Sequence, residues 1–253
     1  MNEKNRQHGW AIILLIGLCG ITTTSWAVAE DTPVVSYSGY ASLTSDYRFR
    51  SLSNSDNKPS LQGEVRLDHY SGLYAALFAS SIDLDIGTSL EADYIVGYRY
   101  ALNSKSALDF NYTYFDYPNA DRLSNADYAE WGIDYVRDET FRPEDSLTVG
   151  VRYSPNYSGK TGKAYYYAAS YDVPISEKLN LNTGIGYSAM RSRSEFSNAF
   201  GGNGRQKGYV DYKFGISTQI AGLDAELAWV DNNLKTDSDT ADGTAVLTIS
   251  KSF

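Results

Sequence analysis

Cysteine is almost missing from this chain: of 253 residues, Cys19 alone is one. It falls in the N-terminal stretch described below as a leader, so the rest of the chain offers no disulfide, thiolate metal site or cysteine nucleophile. Histidine is nearly as scarce, with His8 and His69 as the two examples. A Ser or Asp hydrolase normally needs a His base, and a zinc site needs His or Cys ligands. No catalytic residue, metal ligand or cofactor site is therefore assigned. Basic charge is short as well, because 22 Lys and Arg face 31 Asp and Glu for a net charge of -9. Phosphate recognition needs clustered cations, which excludes nucleic acid as a partner. Long apolar runs are also lacking, and a helical membrane protein needs about 20 apolar residues per span.

Residues 1–29 have the form of an export signal. Lys4 and Arg6 provide a basic start, Trp10 to Ile21 an apolar stretch, and Ala27-Val28-Ala29 a small-residue cleavage pattern. At ~1.5 Å per residue that stretch is too short for a ~30 Å hydrocarbon core, which argues against a retained anchor helix. Leu18 stands where a lipoprotein signal would want a small residue before Cys19. The domain expectation is thus a signal peptide over 1–29 and one folded unit over 30–253.

What the chain has in abundance is tyrosine, 22 residues against 9 Phe and 4 Trp. Tyrosine favours strands and membrane interfaces. From Ser36 onward, apolar and polar residues alternate with period two in runs near 36–49, 60–70, 73–84, 90–102, 107–115, 127–137, 146–154, 164–173, 178–190, 208–220, 223–231 and 244–253. Each run suits a tilted membrane strand of about 9 to 11 residues. The first run sets Tyr37, Leu43, Tyr47 and Phe49 against Ser38, Asp46, Arg48 and Arg50, and the second sets Leu61, Val65 and Leu67 against Glu64, Arg66 and Asp68. Only the third leaves its facing open, because Leu73 and Leu77 oppose Tyr74, Ala76 and Phe78. With the amino end in the periplasm, the inner turns come out mostly short and the outer loops mostly long and rich in Gly, Asn, Ser and Asp, as outer-membrane barrels require. The short outer connection at 85–89 and the long inner one at 138–145 depart from that rule.

The expected fold is all-β: an antiparallel transmembrane β-barrel of about 12 strands in the bacterial outer membrane. A soluble sandwich or lipocalin-like barrel would alternate too. It would, however, have to bury the Asp, Glu and Arg of most polar faces in a dry core, at several kcal/mol per unpaired ion. Phe253 ends an alternating last strand and resembles the signal that outer-membrane proteins present to the barrel assembly machinery. The expected partners are that machinery, outer-membrane lipid, lipopolysaccharide and small polar solutes.

The stretch Leu43-Thr44-Ser45-Asp46-Tyr47-Arg48-Phe49-Arg50-Ser51-Leu52-Ser53, followed by Pro59 and Gln62-Gly63, resembles the opening signature of the TorF-type porins, a proteobacterial family of conserved hypothetical proteins. Ser71-Gly72-Leu73-Tyr74-Ala75, Ala79-Ser80-Ser81 and Tyr114-Phe115-Asp116-Tyr117-Pro118 resemble later segments. Ser51 stands where family members usually have Gly. The resemblance implies an outer-membrane pore and brings no catalytic or ligand residues.

Parity places Asp46, Arg48, Glu64, Arg66, Asp68, Glu91, Asp93, Arg99, Asp109, Glu130, Asp134, Arg152, Asp211 and Lys213 in the lumen as pore-lining candidates. Acids outnumber bases there, so a conducting lumen would concentrate cations. The function expected is a porin-like channel for passive diffusion of small polar solutes, weakly cation-preferring. The alternatives are a structural or adhesive barrel and an outer-membrane hydrolase built on His69. Asp46, Arg48, Glu64, Arg66 and Asp68 have a second role open to them, a salt-bridge network that braces the strands or plugs the bore. The 191–207 connection, with Gly201-Gly202-Asn203-Gly204, is expected to be a mobile surface loop.

Overall fold

The computed structural model describes residues 34–202 and 204–253; the leader expected over 1–29 lies outside the described residues. In chain order the elements are β1 (Val35–Thr44), the very short β2 (Arg48–Phe49) and β3 (Leu52–Ser53), β4 (Ser60–His69), β5 (Leu73–Ser81), β6 (Leu90–Asn103), β7 (Ser106–Asp116) and β8 (Tyr128–Asp138). Then come β9 (Ser146–Ser154), β10 (Ala164–Pro174), β11 (Asn180–Met190), the helix α1 (Arg193–Phe200), β12 (Gly208–Ile220), β13 (Leu223–Asn232) and β14 (Thr244–Ser252). The wall is a closed antiparallel barrel of β1 and β4 to β14, in which β14 returns to pair with β1. Closure removes every unpaired edge, which a hydrocarbon environment demands.

The period-two pattern decides which way the wall faces. In β4, Leu61, Val65 and Leu67 are exposed on the outside while Glu64 and Arg66 are buried inside. In β6 the same holds for Tyr94, Val96, Tyr98 and Tyr100 against Glu91 and Asp93. A slip of one residue would turn every charge into lipid, so register is tightly specified. The strand with ambiguous facing, β5, turns Tyr74, Ala76 and Phe78 inward and Leu73 and Leu77 outward. Tyr74 has a polar reason: its hydroxyl donates to Asp109 inside the barrel at 2.6 Å.

The first strand is shorter than the alternation suggests. It ends at Thr44, and Tyr47 and Phe49, expected on the lipid face, are buried inside. A local hydrogen-bond network captures the chain there: the Thr44 hydroxyl donates to the Asp46 carbonyl, and the Asp46 carboxylate gathers the Ser53 hydroxyl at 2.6 Å and the Ser55 hydroxyl at 3.1 Å. Side chains of Asp and Ser that bond nearby polar groups compete with a sheet ladder, and here they win.

One end of the barrel carries the short connections 70–72, 104–105, 175–179 and 221–222, and the other carries 45–59, 82–89, 117–127, 155–163, 191–207 and 233–243. The long exception at the first end, 139–145, is organised by one side chain. The buried Asp145 carboxylate accepts from the backbone N–H groups of Thr140 at 2.5 Å, Phe141 at 3.0 Å and Arg142 at 3.0 Å, and from the Tyr171 hydroxyl at 2.6 Å. Burial pushes this carboxyl up, but the Tyr171 hydroxyl and the three N–H groups outweigh it and hold Asp145 below the usual carboxylate range.

The 191–207 connection is not a bare surface loop. It forms α1, opened by a capping box in which Ser192 accepts from the Glu195 N–H and Glu195 accepts from the Ser192 N–H. The helix buries Phe196 against Phe200 and Tyr209, which are part of an aromatic cluster with Tyr47, Phe49, Phe78, Phe115, Tyr128 and Tyr157 across the long-loop end.

Candidate functional site

The space enclosed by the wall is occupied at the long-loop end by β2 and β3, which form a hairpin folded into the lumen. Phe49 pairs with Leu52 across a two-residue turn. Both turn residues have positive φ, Arg50 at 52° and Ser51 at 61°. That is the type I′ requirement, which Asn-Gly meets most cheaply; Ser51 meets it without the glycine.

Three sets of contacts hold the hairpin. At its base, Arg48 donates from Nε to Asp46 at 2.5 Å, from Nη1 to the Thr240 and Asp242 carbonyls at 3.0 Å each, and from Nη2 to Asn57 at 2.5 Å. At its tip, the buried Arg50 pairs with Glu130 on the wall at 2.5 Å and lies over the Tyr166 ring at 4.1 Å. The Tyr209 hydroxyl donates to the Arg50 carbonyl at 3.1 Å. Between base and tip, Phe49 meets Phe115 edge-on, and Phe115 stacks on Tyr128 at 4.3 Å. The hydroxyls here stay protonated: burial, followed by the charges of Glu91 and Asp93, drives Tyr47 well above the usual phenol value, and burial pushes Tyr157 up to about 12.

Below the hairpin the inner wall is a connected polar surface. Arg152 forks onto Asp134 with two bonds of 2.8 Å. Asn111 bridges Asp109 at 3.1 Å and Asp134 at 3.3 Å. Arg66 pairs with Asp68 at 2.7 Å while its guanidinium lies 3.7 Å above the Tyr74 ring. Lys213 pairs with Glu226 at 2.6 Å, and Tyr166 donates to Asp211 at 3.0 Å. These side chains lie flat on neighbouring strands where glycine leaves room. A Cβ at Gly150 would sit 1.9 Å from Asp134 Oδ1, and one at Gly186 would sit 2.2 Å from the Tyr166 hydroxyl.

The structure turns Glu64, Arg66, Asp68, Glu91, Asp93, Arg99, Asp109, Glu130, Asp134, Arg152, Asp211 and Lys213 toward the inside of the wall. Asp46 and Arg48 are a correction: they belong to the inward hairpin and its base, since the strand that would have carried them stops at Thr44. Within the set, Arg66 with Asp68 and Arg152 with Asp134 brace neighbouring positions. Arg99 differs, for its Nε is buried without an acceptor among the described residues. Pattern reading overlooked Arg50, Tyr166 and Tyr209. Arg50 gave a signal, since it continues the polar parity of Asp46 and Arg48. The two tyrosines gave none, because their roles come from contacts far apart in sequence.

A closed antiparallel barrel with an apolar outer band, a charged interior and tight turns at one end is a β-barrel of the outer-membrane type. The chain belongs to the family described as "Bacterial protein of unknown function (Gcw_chp)", whose model matches residues 28–253. A comparison with curated proteins gave no match. Among solved structures it is similar to the KdgM porin, with TM-score 0.54 and 9% identity over 86% of this chain and 99% of that one. A KdgM porin in complex with disordered oligogalacturonate gives TM-score 0.55 and 10% identity over 86% and 99% of the two chains. The NanC porin gives 0.53 and 8% over 85% and 98%. Identities this low speak for the porin-type fold.

Proposed function

We propose that the protein is a porin-like channel of the outer membrane that admits small polar solutes by passive diffusion and is closed at its outer mouth by its own hairpin. The observation that carries the reading is the inner wall. A lipid-facing cylinder gains nothing from a lumen lined with Arg66, Arg99, Asp109, Asp134, Arg152, Asp211 and Lys213 unless water and solutes reach it, because buried ions without solvent are costly. The likeness of the opening signature to TorF-type porins supports the same reading.

The unpaired acids on the inner wall favour a weak preference for cations. Glu64 and Asp211 form no ion pair among the described residues, and Arg99 is the inner base in that position. The polyanionic oligogalacturonate of the KdgM complex suits such a surface poorly, so neutral or cationic solutes are the class inferred. The outer belt would contact lipid, the long loops lipopolysaccharide, and the last strand with Phe253 the assembly machinery.

Planar-bilayer recording tests the proposal. Discrete conductance steps with a reversal potential favouring potassium over chloride are expected, and a persistently silent bilayer would remove the channel reading. The filled outer mouth favours a second reading, a structural barrel without transport, which that silence would support. A hydrolytic role finds little to use in His69, which ends β4 beside the 70–72 turn with Nδ1 at 2.8 Å from the Ser71 hydroxyl and its ring against Tyr70.

A further inference from the structure

The guanidinium of Arg50 sits in a seat built from wall residues. Glu130 on β8 accepts from its Nη2 at 2.5 Å, and Tyr166 on β10 offers its ring face at 4.1 Å. Phe49 of the hairpin itself adds a second ring at 4.6 Å. Asp211 on β12 stands beside them, and Arg50 is the cation whose charge acts on it. The Asp211 Oδ1 accepts from the Tyr166 hydroxyl at 3.0 Å, while its Oδ2 meets no donor among the described residues. The Arg50 Nε is likewise buried without an acceptor. Gly186 makes the recess: a Cβ there would lie 2.2 Å from the Tyr166 hydroxyl and 2.6 Å from Asp211 Oδ2. A small cavity lined by Ser51, Tyr166, Asp211 and Lys213 opens against the hairpin tip, and Lys213 is spent on Glu226 at 2.6 Å. One cation thus answers two carboxylates, 3% and 5% exposed, and the backbone that carries it leaves a donor and an acceptor unmatched.

We infer that this seat is a binding site of the channel for solutes that carry a guanidinium group, and that Arg50 fills it as a tethered stand-in; the inference rests on the channel reading above. A guanidinium is planar, so it can fork onto carboxylates and lie flat on an aromatic ring, and Glu130, Asp211 and Tyr166 offer both at once. An ammonium is a compact point charge with no plane to match the ring. A neutral solute would leave two buried acids unanswered, and an anion would be repelled. Glu130, Tyr166 and Asp211 all belong to wall strands, so the seat outlasts the departure of the hairpin. A free guanidinium is not held by a turn and can bring an N–H to Asp211 Oδ2, where Arg50 brings none. Solute and hairpin compete for one place, and a solute that fits it shifts the population toward the released hairpin.

The test uses propylguanidinium, the Arg50 side chain cut from its backbone, with propylurea as its uncharged counterpart, on the full chain refolded in detergent. Heat-modifiable gel mobility verifies that each variant is folded, and the rise of unfolding temperature with concentration gives the dissociation constant. Arg50→Ala empties the seat and should bind propylguanidinium at least tenfold more tightly than the wild type. That gain should be lost when Glu130→Gln or Asp211→Asn is added, and kept when Asp237→Asn/Asp239→Asn on the 233–243 loop is added. In planar bilayers the two proteins should respond with opposite sign. Propylguanidinium competes with Arg50 and raises the openings of the wild type, whereas it refills the seat of Arg50→Ala and lowers them. An affinity no higher in Arg50→Ala than in the wild type overturns the site, as does equal binding of propylurea or binding that survives both carboxyl substitutions. A bilayer silent under every condition removes the channel reading and leaves the titration to decide the seat.

Discussion

Arg50 and Glu130 meet at 2.5 Å inside the barrel, one carried on the turn of a free hairpin and the other on the wall strand β8. Both side chains are about 4% exposed, so neither charge has water to fall back on. Removing one partner of such a pair typically costs about 3 to 5 kcal/mol, because the other is left uncompensated. Arg50→Ala is therefore expected to release the hairpin and raise open-channel events at least tenfold, read as single-channel open probability. Arg50→Ala with Glu130→Ala should restore closure in part, since no orphaned charge then remains.

Ser51 holds a left-handed backbone that costs a residue with a Cβ about 1 kcal/mol. Ser51→Gly removes that strain at the loss of one long hydrogen bond, from the Ser51 hydroxyl to the Tyr212 carbonyl at 3.5 Å. The hairpin should seat more firmly, with fewer openings in the same recording. More frequent openings would show that the hydroxyl matters more than the turn.

Gly150 is the recess into which Asp134 fits. Gly150→Ala should drive the carboxylate off Arg152 and lower stability by roughly 2 to 4 kcal/mol, combining overpacking with a broken ion pair. The readout is the temperature at which gel mobility changes. Asp134→Asn and Gly150→Ala should combine to less than their sum, because both break the same contact.

Asp145 gives the inner turn an acid-sensitive stability. Its folded value lies below the usual carboxylate range, so the proton binds more weakly in the folded state than in the unfolded one. The contribution is complete above the unfolded value of about 3.9 and is lost as pH falls below it, through the folded value. Asp145→Asn should cost about 1.5 to 3 kcal/mol at neutral pH and flatten the acid dependence below about pH 4, measured as proteolytic nicking of the 139–145 turn after acid exposure.

The wall was readable from residues because its one requirement, greasy outside and ionised inside, repeats every second position. Eleven of the expected runs, from the one near 60–70 to the one near 244–253, match barrel strands to within a few residues. The interior was less readable. Tyr47 and Phe49 obey the same alternation as true lipid-facing residues, and what turns them inward is the Asp46, Ser53 and Ser55 network, whose energy is spent on short-range hydrogen bonds that a parity count does not weigh. The helix α1 had a visible start in Ser192 and Glu195, but its Gly-rich exit at 201–204 suggested an open loop. Arg50 finding Glu130 joins residues 80 positions apart, and no local pattern encodes that.

Phe253 exchanges two backbone hydrogen bonds with Gly39, at 3.0 and 3.1 Å, and its ring leaves no space for a Cβ there. The seam so made joins the first wall strand to the last, the most distant partners in the sequence. Pairings of that span are slow to form, because the closure entropy of the long intervening chain must be met before their contacts repay it. A chain stalled before β14 would keep two raw edges, sticky toward any other strand, and its hairpin would have no cylinder to enter. Completion of the hoop and seating of the hairpin inside it are therefore expected to fall together, late in the folding of each molecule.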